Sequence, residues 1–254
     1  MLKKSLAVAI LIGATGLSGG AYAQTASSAW LGGINFQLID LDTHDGITPS
    51  LTFDRYSSTS ASVAPVAGSG LTSTNSTSST ALWTAIASAN SALGATTSAS
   101  IKALDLAAAG TIFGTGEYES KAFQQGLFIL SPNTELVLAG HASAYVNGSL
   151  TLPENTSASV SVQVVDTQDG VAYDQIASYS NGAFSYDHLP TSVNDSFTLH
   201  FFNNGSEAIY GTMETYAVAT GSVTGISPVP EPEMFGMLLG GLALFGVARS
   251  RKQG

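Results

Sequence analysis

Two short stretches of the chain alternate apolar and polar side chains, and this pattern constrains the fold more than any other feature. They are SVSVQVV at residues 159–165 and SFTLHFF at residues 196–202. Such alternation is typical of strands with one buried face. Asp-Gly and Asn-Gly pairs at 169–170, 181–182 and 204–205 supply the positive φ angles of tight turns. The spacing of strands and turns predicts a mainly β chain, folded as an antiparallel β-sandwich.

Residues 57–110 interrupt this pattern with a segment rich in Ser, Thr and Ala. Its apolar residues at helical spacing are Leu82, Ile86, Ala89 and Leu93. This spacing favours one face of a helix, although Ser and Thr lower helix propensity. We therefore predict a low-complexity, partly helical insertion, with a β-rich repeat as the alternative. O-linked glycans on the Ser/Thr tract are a further hypothesis.

The charge of the chain excludes one class of partner. All 18 acidic residues lie at positions 40–233, where the basic residues are Arg55, Lys102 and Lys121, so this span carries 3 − 18 = −15. Nucleic acid requires a basic face, and no nucleic-acid partner is expected. The chain contains no cysteine, which excludes disulfides, thiolate metal sites and a cysteine nucleophile.

The first 23 residues have the pattern of a secretory signal peptide. Two lysines precede a short apolar stretch at residues 6–17, and Ala21 and Ala23 form an A-x-A cleavage site. We expect cleavage after Ala23, so that the exported chain begins at Gln24. An uncleaved membrane anchor is the alternative, but the apolar stretch is short for that role.

Residues 234–248 carry no charge and predict a C-terminal transmembrane helix. At 1.5 Å per residue it would be about 22 Å long, shorter than a hydrocarbon core of about 30 Å, and snorkelling or local thinning can accommodate the difference. Arg249, Arg251 and Lys252 follow it, and the positive-inside rule keeps them cytoplasmic. The alternative, a helix of a soluble core, would need an apolar stripe that this segment lacks.

The motif Pro230-Glu231-Pro232, followed by the apolar segment and the basic tail, resembles the PEP-CTERM sorting domain. The two prolines keep the motif extended and outside the helix. The resemblance implies a Gram-negative, exopolysaccharide-producing bacterium in which the tail inserts transiently into the inner membrane. It further implies that an exosortase recognises the motif and removes the tail, which delivers the protein to the cell surface or extracellular matrix.

Three carboxylates on a predicted turn, those of Asp40, Asp42 and Asp45, form a candidate calcium site. The spacing departs from an EF-hand loop, because Gly46 falls one position late and no Glu follows at position twelve. The alternative is an Asp-rich turn held by its own Asx hydrogen bonds. No other cofactor is expected.

The chain lacks the common catalytic motifs G-x-S-x-G and H-E-x-x-H. Glu117 and Glu119 share one face of a predicted strand, as paired glycosidase carboxylates can, and a solvated strand face is the alternative. Tyr173, Tyr179 and Tyr186 are candidates for stacking on sugar rings, with packing between strands as the alternative.

These features favour a non-enzymatic, exported protein of the cell surface or extracellular matrix, with a structural or adhesive role in a biofilm. The expected partners are an exosortase and exopolysaccharide. The alternative is a secreted hydrolase of matrix glycans, which requires convergent carboxylates in a cleft. Three segments follow: a signal peptide at 1–23, an exported β-rich domain at 24–227 and a sorting domain at 228–254.

Overall fold

The computed structural model describes residues 24–64, 73–80, 85–92, 94–148, 154–166, 176–185 and 189–224. Within these ranges the chain forms twelve β-strands and no helix. The strands are β1 (Gln24–Asp40), β2 (Leu51–Ala64), β3 (Ser73–Ser79), β4 (Ile86–Ala92), β5 (Ala95–Lys102), β6 (Asp105–Phe113), β7 (Gly116–Leu130), β8 (Thr134–Asn147), β9 (Glu154–Asp166), β10 (Ile176–Ser185), β11 (Thr191–Asn203) and β12 (Ile209–Val223).

The strands form two six-stranded sheets in a sandwich-like arrangement. Sheet A has the order β11-β8-β1-β6-β5-β4, and sheet B has the order β10-β9-β12-β7-β2-β3. All of the pairings between described strands are antiparallel. The prediction of a mainly β, antiparallel fold with two sheets is therefore confirmed.

The sandwich has two ends, which differ in what they carry. At the terminal end β1 begins, with Gln24 opposite Phe113, and β12 ends, with Val223 opposite Gly116. The β6–β7 turn joins the two sheets there. The opposite end, the loop end, carries the β1–β2 loop, the β7–β8 turn and the β11–β12 loop.

The edge strands of the two sheets meet on both sides of the sandwich. Between β3 and β4, the side-chain amide of Asn75 donates to Ala89 O at 3.0 Å and that of Asn90 donates to Ser73 O at 2.6 Å. Between β10 and β11, Tyr179 donates to the Asp195 carboxylate at 3.1 Å. These bonds link the edge strands of the two sheets, and those to Ala89 O and Ser73 O occupy backbone groups that an edge strand otherwise presents to other chains.

The core consists of the inward side chains of both sheets. Three phenylalanines form its aromatic centre: the Phe128 ring lies 5.6 Å from that of Phe201 and 6.1 Å from that of Phe53. Phe128 and Phe201 are each 1% exposed. Burying a side chain of this size contributes roughly 1.5–3 kcal/mol to folding.

A second, smaller cluster lies towards the terminal end, around Tyr118. The Tyr118 ring packs directly on two glycine backbones. A Cβ atom on Gly110 would lie 2.2 Å from the ring, and one on Gly221 would lie 2.4 Å from it. Glycine at both positions therefore makes room for a large side chain between the sheets.

The prediction of a partly helical insertion at 57–110 is wrong for the described part of that segment, which forms β-strands. The segment supplies β3 to sheet B and β4, β5 and most of β6 to sheet A. In β5 the inward and outward positions alternate strictly, but small residues such as Ala95, Thr97 and Ala99 occupy the inward ones. Pairing with neighbouring strands overrides the weak local helical pattern.

Of the three predicted turn pairs, one is confirmed and one is wrong. Residues 204–205 lie in the β11–β12 loop, as predicted, while 169–170 lie outside the described residues. Asn181 and Gly182 lie inside β10. A Cβ on Gly182 would lie 2.8 Å from Ala158 O of β9, so the glycine permits a close approach of two strands instead of a turn.

The predicted signal peptide, its cleavage site at Ala21 and Ala23, and the predicted helix at 234–248 lie outside the described residues. In the described part of the chain, no helix has the length and apolarity needed to cross a bilayer.

Candidate functional site

The sorting motif follows the terminal end of the sandwich closely. The last described residue is Thr224, and Pro230 comes six residues later. At no more than about 3.6 Å per residue, this connection spans at most about 22 Å. Pro230, Glu231, Pro232 and the basic residues Arg249, Arg251 and Lys252 lie outside the described residues.

The candidate calcium ligands lie at the loop end, where each carboxylate serves the local turn. Asp40 Oδ1 accepts the Asp42 amide at 3.0 Å, and Asp42 Oδ1 accepts the His44 amide at 3.1 Å. Asp45 Oδ1 accepts the Ile47 amide at 2.7 Å. This is the succession of Asx turns that formed the alternative prediction.

Asp45 also joins the β1–β2 loop to the β7–β8 turn. Its Oδ2 accepts the side-chain amide of Asn133 at 2.7 Å. This hydrogen bond, followed by that of the Ile47 amide, lowers the pKa of Asp45 below its ordinary value. Across the ranges that the structure describes, no three His, Asp or Glu side chains are gathered to hold a metal ion. Asp40, Asp42 and Asp45 stay a candidate calcium site from the sequence alone.

The paired carboxylates Glu117 and Glu119 line a shallow hollow on the outer face of sheet B, near the terminal end. The hollow has a volume of about 400 Å³ and is bordered by Asn155, Thr220 and Ser222. The two glutamates are side by side on β7, with Cα atoms about 7 Å apart. They do not face each other across the hollow.

Of the tyrosines proposed for sugar stacking, Tyr173 and Tyr186 lie outside the described residues. Tyr179 stacks on Phe197, with ring centroids 4.6 Å apart. Partial burial and, after it, the neighbouring Asp195 carboxylate raise the pKa of the Tyr179 hydroxyl, while a hydrogen bond with Asn181 opposes this shift. Tyr179 thus packs between the edges of the two sheets, as the alternative prediction stated.

Sequence patterns did not identify a row of aromatic rings on the outer face of sheet B. The Phe123 ring lies 4.6 Å from that of Tyr216 and 6.4 Å from that of Tyr56. The three residues come from three different strands, so only the strand register brings them together.

One family comparison matches the chain, and it falls on the C-terminal segment. Residues 228–252 match the PEP-CTERM protein-sorting motif. The match includes the Pro230–Pro232 motif and the basic residues as far as Lys252, and it confirms the predicted resemblance. No curated protein sequence matches the chain.

The fold and the sorting motif together define a class of protein. It is an exported protein that carries a two-sheet antiparallel β domain, followed by a C-terminal signal for an exosortase. This signal indicates export and exosortase-mediated delivery to the cell surface or the extracellular space.

Proposed function

We propose that this protein is a non-enzymatic component of the cell surface or extracellular matrix, with a structural or adhesive role in exopolysaccharide. The observation that carries the proposal is the sorting motif at 228–252, because it directs the β domain to the cell surface or the extracellular space, where it would meet an exopolysaccharide. Without the tail that carries Glu231 and Glu233, residues 24–230 have a charge of 3 − 16 = −13, which opposes self-association of the released domain.

The position of the motif relative to the fold supports this role. The chain leaves the sandwich at the terminal end, where Val223 pairs with Gly116. Attachment through the C-terminus that sorting leaves would keep the loop end and the outer faces of both sheets accessible to an extracellular partner.

The experiment is a comparison of matrix cohesion in the producing bacterium with and without this protein. We expect deletion to increase the fraction of cells released from the biofilm by shear, and expression of the parent chain to restore cohesion. The variant Glu231→Ala, which is made but not sorted, should fail to restore it. Equal cohesion in the deletion strain and the parent would contradict the proposal.

The alternative, a secreted hydrolase of matrix glycans, has one observation in its favour: Glu117 and Glu119 line the same hollow. We expect incubation of the exported protein with the matrix polysaccharide to release no reducing ends. The hydrolase would be established instead if reducing ends were released by the parent and by the loop-end control Glu207→Gln. Both Glu117→Gln and Glu119→Gln would have to lose this release.

A further inference from the structure

A strip of aromatic and aliphatic side chains runs along β7 and its neighbours on the outer face of sheet B. We define this aromatic strip as Tyr56, Phe123, Leu127, Ile129 and Tyr216. Tyr56 is 41%, Leu127 58% and Ile129 38% exposed, and Phe123 and Tyr216 are half-buried. From Phe123 to Ile129 the strip extends about 20 Å, at about 3.3 Å per residue.

The strand register creates the strip. Tyr216 of β12 lies directly opposite Phe123 of β7, and Tyr56 of β2 lies diagonally beside Phe123. The Lys121 ammonium lies 5.0 Å from the centroid of the Tyr216 ring and 5.7 Å from that of Phe123, within the range of a cation–π contact. The rings are therefore held in place by neighbours on the same face.

Polar groups border the strip and are themselves held in position. The Glu214 carboxylate accepts the Gln125 side-chain amide at 2.9 Å and the Tyr216 hydroxyl at 3.1 Å. Partial burial and then Glu214 raise the pKa of the Tyr216 hydroxyl, so it stays a donor at neutral pH. Each Glu214 oxygen has a second lone pair, and the Lys121 ammonium has further N–H groups, to offer a ligand.

This combination fits a polysaccharide. A sugar ring has apolar C–H faces that pack against aromatic and aliphatic side chains, and hydroxyl groups at its rim that both donate and accept hydrogen bonds. An extended polysaccharide chain presents apolar faces and hydroxyl groups in turn along its length. The strip offers both kinds of partner: apolar side chains, and beside them the amide of Gln125, the carboxylate of Glu214 and the ammonium of Lys121.

The charge around the strip selects a neutral polysaccharide. The charged side chains with printed contacts to the rings of the strip are Lys121 and Glu214, one of each sign. An anionic polysaccharide would meet the Glu214 carboxylate beside the Lys121 ammonium. A second copy of this chain would bring its own strongly negative span to the same surface, which disfavours self-association.

The strip is also placed where a ligand can reach it. It occupies the part of the outer face that extends from the middle of β7 to the loop end, where Leu51 and Ile209 pair with Leu130. The tail leaves from the terminal end, beyond Val223. A domain attached through the C-terminus that sorting leaves would keep the strip towards the end of the sandwich that is far from the attachment.

We propose that the aromatic strip binds a neutral exopolysaccharide along β7. This inference rests on the proposed matrix role and names its ligand class and its surface. Phe123, Tyr216 and Tyr56 supply the aromatic contacts, Leu127 and Ile129 extend the apolar surface, and Glu214 and Lys121 bind sugar hydroxyls.

The test measures retention of the exported, processed protein on the neutral polysaccharides cellulose, amylose and mannan and on the anionic polysaccharide polygalacturonate. We expect retention on at least one neutral polysaccharide, with little effect of salt, and none on polygalacturonate. The double variant Tyr56→Ala, Tyr216→Ala should lower the affinity about tenfold or more, since aromatic contacts dominate such interfaces. The matched control Tyr145→Ala removes a tyrosine of similar exposure from sheet A and should bind as the parent does.

A milder variant guards against loss of the fold. Leu127→Ser replaces a largely exposed side chain, so it should melt at the parent temperature and still bind several-fold more weakly. Equal binding of parent, double variant and Leu127→Ser would overturn the proposal. The proposal would also be overturned if none of the neutral polysaccharides retained the parent protein. It would equally be overturned if the strip mediated dimerisation or binding to lipid vesicles instead.

The two proposals fail in different ways. If the double variant restores biofilm cohesion as fully as the parent chain, the strip is not the ligand surface and the matrix role stands. If the parent chain itself does not restore cohesion, the matrix role fails, whatever the strip binds.

Discussion

Tyr118 of β7 and Ser27 of β1 meet between the two sheets, with their hydroxyl oxygens 2.8 Å apart. Ser27 Oγ also donates to Thr220 O at 3.1 Å. This contact connects the strand that begins the described chain to the strand that precedes the sorting segment. The terminal end is therefore held by a buried polar pair as well as by apolar packing.

We expect Tyr118→Phe to lower the free energy of unfolding by about 1 kcal/mol, because it removes one buried hydrogen bond. Gly221→Ala should cost more, about 1–3 kcal/mol, since the new Cβ would overlap the Tyr118 ring. Urea unfolding of the exported protein measures both changes. Ser222→Ala, at the neighbouring outward position, is the matched control, and an equal effect there would contradict this account.

Asn203 holds the loop end together. Its side-chain amide donates to Ser131 O and Glu207 O, each at 2.9 Å, and its Oδ1 accepts the Gly205 amide at 3.0 Å. Asn203→Leu should lower the free energy of unfolding by about 2–3 kcal/mol, because buried backbone groups lose their partners. The exposed neighbour Asn204 serves as the control, and Asn204→Leu should change the free energy of unfolding little. An equal loss of stability in the two variants would contradict this role of Asn203.

The Asp45–Asn133 contact makes stability depend on pH. The folded pKa of Asp45 lies below its ordinary value of 3.8. The contact therefore contributes stability above pH 3.8, and this contribution is lost as the pH falls through the lowered pKa. Asp45→Asn should flatten this part of the stability profile. Asn133→Gly, which keeps the positive φ of 47° accessible, should flatten it as well; a steep profile in both variants would assign the effect to other groups.

Adding calcium tests whether the loop-end carboxylates bind a metal ion in addition to holding their turns. Because Asp40, Asp42 and Asp45 each accept a turn amide, we expect about 10 mM calcium to leave the melting temperature unchanged. Extracellular calcium modules bind with dissociation constants of about 0.1–1 mM, and saturation would stabilise the fold by roughly 1.4–2.7 kcal/mol. A rise in melting temperature that Asp42→Asn removes would establish a calcium site.

The sorting motif predicts the mass of the mature protein. Intact mass of the extracellular form should show loss of residues 1–23 and of the tail near Pro230. Glu231→Ala and Pro232→Ala should each leave an uncleaved chain in the membrane fraction. Ser227→Ala, just before the motif, should be processed normally. An intact C-terminus in the parent protein would mean that the tail is a permanent anchor.

Sequence patterns predicted the strands that alternate large apolar and polar residues, such as β9 and β11, because one buried face selects Val, Phe and Leu at every second position. They failed for β4 and β5. There, apart from Ile86 and Ile101, the buried positions hold Ala, Thr and Ser, and small side chains carry too weak a hydrophobic signal to reveal a period of two. The pair Asn181-Gly182 wrongly predicted a turn, because glycine occurs both in turns and where two strands approach closely.

The destination of this protein follows from its residue order alone, because a sorting signal is a local motif that an enzyme reads along an extended chain. The β class follows from residue order as well, through alternation within single strands. Which residues share a surface depends on how the strands pack together. Tyr56, Phe123 and Tyr216 are separated by long stretches of chain, and the register of β2, β7 and β12 brings them within 4.6–6.4 Å. The hydrophobic pattern fixes which face of each strand is buried, but which distant strands become neighbours is decided only when the whole sheet packs.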